Sequence, residues 1–158
     1  MYSPTTARAR AVLASGSDWH LAARGGNSWQ LTIEACEDPQ LSSYLDMLEA
    51  LRTFAGGSGL RPLVIDLRGT TRPGGPRLRA CAELLALYES HRRRVVALVG
   101  RDLVLALRMH HLLREHAPTQ GRCIHEPAEA LRAVYSQPPP VPAPRGHRRR
   151  SSLQAPRV

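Results

Sequence analysis

No lysine occurs among the 158 residues; all 22 basic side chains other than histidine are arginine. Schiff-base chemistry and the lysine-dependent phosphate loop are therefore excluded. A high-GC coding bias explains the arginine more simply than selection for bidentate phosphate binding. Aromatic residues make up 4% of the chain against a hydrophobic fraction of 42%, so leucine, valine and alanine must fill the core. Cysteine is scarce too: Cys36, Cys81 and Cys123 form an odd, widely spaced set with no CxxC, which suggests neither a disulfide framework nor a structural zinc site. No apolar run approaches transmembrane length, and MYSPTTARARAVLASGSD lacks the apolar stretch of a signal peptide. A protein of the reducing cytoplasm is expected.

The net charge of +9 invites a nucleic-acid reading, but its location argues otherwise. Arg145, Arg148, Arg149, Arg150 and Arg157 stand in residues 138–158 without an acid. Between residues 28 and 137, 14 arginines face 12 acids. Basicity belongs mostly to the ends, so no basic groove is built into the fold, and nucleic acid is expected only as a weak, salt-sensitive contact of the tail.

The chain divides into a flexible N-terminus (1–17), an α/β domain (18–137) and a disordered Pro/Arg-rich tail (138–158). DWHLAARGGNSWQLTIEA alternates on both sides of Gly25-Gly26-Asn27 and predicts a β-hairpin, with Trp19 and Trp29 close enough to meet across it or in the core. Beyond Pro39, the residues Leu41, Tyr44, Leu45, Leu48, Leu51 and Phe54 mark one helical face. PLVIDLRG follows as a strand buried on both sides, then a helix from near Pro76 with Leu78, Cys81, Leu84, Leu85 and Tyr88 along one side. RRVVALVG is a second such strand, RDLVLALRMHHLLREHA a helix capped by Asp102, GRCIHE a short strand, and PAEALRAVYS a last helix with Pro127 at its first position. The expected fold class is α/β: an N-terminal hairpin, then alternating helices and strands giving parallel pairing with helices packed on the sheet.

Open α/β sheets hold their ligands at the carboxyl ends of the strands, which directs attention to Arg68–Arg77. Arg68, Arg72 and Arg77 there would suit an anion at a helix N-terminus. The loop lacks GxGxxG and the P-loop pattern, and its prolines remove N–H donors that a phosphate cradle needs. Asp66 at the strand end has no neighbouring His or nucleophile in sequence, so bonding within its own turn is the expected role. His110, His111 and His116, with His125 further on, lack the i, i+4 spacing that puts two imidazoles on one metal. Neither a metal site nor a cofactor is expected. Cys81 falls on an apolar helix side as a small core residue. RRRSS in the tail places Ser151 and Ser152 after basic residues, a pattern that suits modification by a basophilic kinase.

WQLTIEA, LSSYLDMLEALRTFA, PLVIDLRG, RACAELLALYESHRRRVVALVG and EPAEALRAVY together resemble the STAS superfamily of anti-sigma factor antagonists, most closely its SpoIIAA-like branch, over roughly residues 18 to 136. The resemblance implies a mixed sheet flanked by helices and a bacterial, non-enzymatic signalling role. In the antagonists, the loop after the aspartate-ended strand carries a phosphorylatable Ser or Thr and is contacted by a kinase-like anti-sigma factor. Here that stretch is TTRPGGPRLR, with Thr70 and Thr71 as its only hydroxyls. The expected function is therefore a protein-binding module whose recognition surface, residues 68–77, involves Asp66, Arg68, Thr70, Thr71, Arg72 and Arg77. The alternative is a small-molecule or lipid-binding domain, with Arg68 or Arg72 holding an anionic head group.

Overall fold

Alternating apolar and polar residues send successive side chains to opposite sides of a strand, and the N-terminal segments follow that rule. In a computed structural model of the chain, which describes residues 11–24, 27–34, 41–57, 59–70 and 75–136, β1 (Val12–Ser15), β2 (Trp19–Arg24) and β3 (Ser28–Ile33) pair antiparallel in sequence order. Asn27, at the β2–β3 turn, takes φ 71°, a left-handed conformation that asparagine tolerates better than most residues. Four residues of the segment read as a flexible leader thus form a strand. Trp19 pairs with Ile33 and Trp29 with Ala23, so the two indoles do not meet across the hairpin. Both enter the core instead, Trp29 against Phe54 with ring centroids 5.2 Å apart.

The rest alternates: α1 (Leu41–Gly56), β4 (Leu63–Asp66), α2 (Gly75–Ser90), β5 (Val95–Leu98), α3 (Leu103–His116), β6 (Gly121–Ile124) and α4 (Pro127–Tyr135). β3, β4, β5 and β6 pair parallel, completing a mixed six-stranded sheet whose spatial order is the sequence order. Both faces of β4 and β5 are covered, which is why LVID and VVAL are buried at every position. The mixed α/β fold flanked by helices is as the sequence predicts.

One face of the sheet carries the larger core. Leu31, Ile33, Leu63, Ile65, Val95 and Ala97 pack there against Met47, Leu48 and Leu51 of α1, Leu84, Leu85 and Tyr88 of α2, and Leu105 and Met109 of α3. Each fully buried leucine contributes about 1.5–3 kcal/mol. The other face packs Val64, Val96 and Leu98 against Ala130 and Val134 of α4. Arg94, itself buried, donates to the carbonyls of Ser136 and Gln120 and so holds the end of α4 near the start of β5. In α1 the helical face differs slightly from the sequence pattern: Met47 is buried, whereas Leu45 is half exposed.

Candidate functional site

Parallel pairing brings the carboxyl ends of β3 to β6 into line, with Thr32, Asp66, Leu98 and Ile124 in register. Beyond this line the chain turns at Arg68 and Gly69 after β4, at Gly100 and Arg101 after β5, and at His125 after β6. Of the residues predicted for a site after β4, Asp66, Arg68, Thr70 and Arg77 are described, and their side chains have been put to several uses.

Asp66 is buried at the strand end. Its carboxylate takes two guanidinium bonds from Arg68, Nε to Oδ1 at 3.0 Å and NH2 to Oδ2 at 2.8 Å. It also accepts the Arg68 backbone N–H at 3.2 Å and the Gln30 side-chain amide at 3.1 Å. Burial pushes the Asp66 carboxyl up, but the hydrogen bonds and charge of Arg68 outweigh it and hold the group below the ordinary carboxylate value. This is a turn locked by a bidentate pair, the structural role expected for a strand-end aspartate. Arg68 remains half exposed, with its stem over Gly100, whose φ is 63°. A Cβ at residue 100 would stand 3.3 Å from Arg68 Cγ. His125 Nδ1–H donates to Gly100 O at 2.7 Å, so the turns after β4, β5 and β6 support one another.

Two other predicted residues are not on the surface. Thr70 is only 3% exposed, and its hydroxyl donates to Ile33 O at 3.1 Å. Phosphorylation of Thr70 would require this bond to break and the turn to open. Arg77, also 3% exposed, turns inward from the first turns of α2. Its Nε donates to Tyr44 Oη at 2.7 Å, Tyr44 donates to Asp18 at 2.5 Å, and the guanidinium lies 4.0 Å from the same carboxylate. Ser43 donates to Asp18 from α1 as well. Burial, then the bond to Asp18, pushes the Tyr44 phenol well above its usual range while Arg77 opposes the shift, so the ring stays neutral. Arg77 is thus a buried tie between the β1–β2 corner, α1 and α2, and not part of a recognition surface. Sequence reasoning missed its partners, because Asp18 and Tyr44 lie far from it along the chain.

Thr71 and Arg72 lie outside the described residues, as do Cys36, Ser151, Ser152 and the tail 138–158. Of the predicted loop side chains that are described, only Arg68 reaches solvent, and its guanidinium is bound to Asp66. An anionic head group there would have to compete with a bidentate carboxylate. Among the described residues, no three His, Cys, Asp or Glu side chains are placed to hold a metal ion. Cys81 is buried in the core, its thiol pushed by burial up to about 12, and Cys123 is pushed up to about 11 for the same reason. His110 and His111 lie on the exposed side of α3. No described helix is long and apolar enough to cross a membrane.

An apolar surface beside this site was not foreseen from the sequence. Leu103, Val104 and Leu107 at the start of α3 are 74%, 61% and 71% exposed. They follow the Gly100 turn directly, at the same end of the sheet as Arg68. Helical spacing i, i+1, i+4 on one side was present in the sequence, but nothing there distinguished the outward side from the inward one. No family model matches the chain, and no curated protein matches it significantly.

Proposed function

We propose that this chain is a non-enzymatic regulatory module that binds another protein, as its resemblance to anti-sigma factor antagonists implies. The contact is formed by the turn after β4, through Arg68, and the adjoining start of α3. The observation that carries this reading is the row of three large apolar side chains, Leu103, Val104 and Leu107, standing in solvent beside the Arg68 turn. Large apolar groups clustered on an outward helix face are a common mark of an interaction surface. The polar groups at the strand ends favour the same reading, since Asp66, Thr70 and Arg77 are each engaged within the fold.

The test begins with affinity capture from the native cell extract on the full chain and on Arg68→Glu, followed by direct titration of each purified captured protein. A partner that binds the wild type stoichiometrically and the variant more weakly supports the module. Reproducible substrate turnover by the purified chain, abolished in Asp66→Ala, would overturn it.

A further inference from the structure

The near balance of arginines and acids along residues 28–137 is not a balance in space. Because β3, β4, β5 and β6 run parallel, the turns that lead into β4, β5 and β6 gather at one end of the sheet, and all four helices finish there. Arg61 precedes β4, Arg92, Arg93 and Arg94 precede β5, Arg122 stands in β6 opposite Val96, and Arg132 lies in the last turn of α4. Backbone bonds hold these segments side by side: Leu63 N–H donates to Arg94 O at 3.0 Å, and Val95 N–H to Gln120 O at 3.2 Å. The acids collect at the other end. Asp18, Glu34, Asp66, Asp102, Glu126 and Glu129 lie at the carboxyl ends of the parallel strands, in the corner beside them or at the starts of α3 and α4.

The remaining charges near the arginine end cancel or are already used. Arg114 and Glu115 adjoin in the last turn of α3, and Arg52 pairs with Glu83 at 3.4 Å. Glu89 accepts the backbone N–H groups of Thr119 and Gln120. Arg61, Arg92, Arg93, Arg122 and Arg132 form no ion pair among the described residues. Arg94 is buried against the carbonyls of Ser136 and Gln120, and burial, followed by the charge of Arg122, holds its guanidinium below the usual value. Each helix C-terminus adds about half a negative charge, so four of them together with Glu89 offset about three of the six arginines. An excess of about three positive charges remains. The chain beyond Ser136, whose carbonyl Arg94 holds, adds Arg145, Arg148, Arg149, Arg150 and Arg157 without an acid.

We infer that the arginine end of the sheet binds the phosphate backbone of a single-stranded nucleic acid. Guanidinium forks match phosphodiester oxygens, and the ring of Tyr135, half exposed in the last turn of α4 with its hydroxyl on Ser28, offers a face on which a base stacks. Reading a duplex requires an element that enters a groove, whereas this end presents short turns and helix C-termini. Binding to a bilayer would need apolar anchors among the charges, and Leu103, Val104 and Leu107 stand at the opposite end of the sheet. The site is likewise remote from the protein contact proposed above and stands or falls separately from it.

The test is a fluorescence-anisotropy titration of the full chain with dye-labelled single-stranded RNA and DNA of about 20 nucleotides, and with the corresponding duplexes, over a range of salt. The variants are Arg93→Gln/Arg122→Gln and, for the C-terminal segment, Arg148→Gln/Arg149→Gln/Arg150→Gln, each first shown to be folded by circular dichroism. Single strands should bind more tightly than duplexes, and the double variant should bind them more weakly at low salt. Each phosphate contact removed lowers the salt slope by about 0.7, so between about 50 and 200 mM salt the double variant should lose about sevenfold less affinity than the wild type. Equal affinity and equal slope for the two would overturn the site, as would the absence of binding at the lowest salt. Binding lost in the triple variant and kept in the double one would assign the contact to the C-terminal segment instead. Tighter binding to duplexes, to vesicles of phosphatidylcholine with phosphatidylglycerol or to polyglutamate would replace the single strand with a duplex, a membrane or an acidic protein.

Discussion

Asp66 and Arg77 are charged residues at the same end of the sheet, held by opposite strategies. Asp66 is anchored by a neighbour two residues away whose guanidinium is half in water, whereas Arg77 is enclosed by groups from the β1–β2 corner and α1. Asp66→Asn removes the charge but little volume, and should lower the unfolding free energy by about 1–3 kcal/mol at pH 7. Because the folded carboxyl is held below its ordinary value of 3.8, that stabilisation is complete above this pH and disappears as the pH falls through the lower folded value. Urea titrations of wild type and variant should therefore converge in acid. Arg77→Met strands the buried Asp18 and should cost about 3–5 kcal/mol at neutral pH, a loss visible in the same titrations. The aspartate's role was legible in the sequence because its partner is local. Burial of Thr70 and Arg77 was not, since the carbonyl of Ile33 and the hydroxyl of Tyr44 come near them only after the chain folds.

The elements differ in how plainly they were written. β4 and β5 are continuous apolar runs and α4 opens on proline, features that fix element type locally. β1 offered no such signal: VLAS is four residues long, largely exposed, and strand-like only because β2 lies beside it. α3 was legible as a helix, and Asp102 does cap it, but its outward leucines could not be told from inward ones. Leu103→Ser/Leu107→Ser should therefore shift stability by no more than about 0.5 kcal/mol, the usual range for surface substitutions away from special features. A larger loss in thermal unfolding would show that these leucines belong to the core. Gly100→Ala, by contrast, forces a side chain into a left-handed backbone and should cost about 1–2 kcal/mol in the same measurement.

Across the whole molecule, the two faces of the sheet are unequally furnished. Three helices bury a large aliphatic core on one side, while α4 is held on the other by Ala130 and Val134, by the Ser28–Tyr135 hydroxyl contact of 2.9 Å and by Arg94. Local openings start where few apolar contacts must be broken. Native-state hydrogen exchange should show the α4 amides exchanging well before those of β4 and β5, and equal protection would contradict this hierarchy. The strand order β1 to β6 has a further consequence, for assembly. No strand must be threaded between two that are already paired; each new strand joins the edge left by its predecessor. Pairing partners are separated only by a turn or by a single helix, which keeps loop-closure entropy small at every step. A chain emerging from its N-terminus can lay down this sheet in the order in which it is made, with α4 closing the second face last.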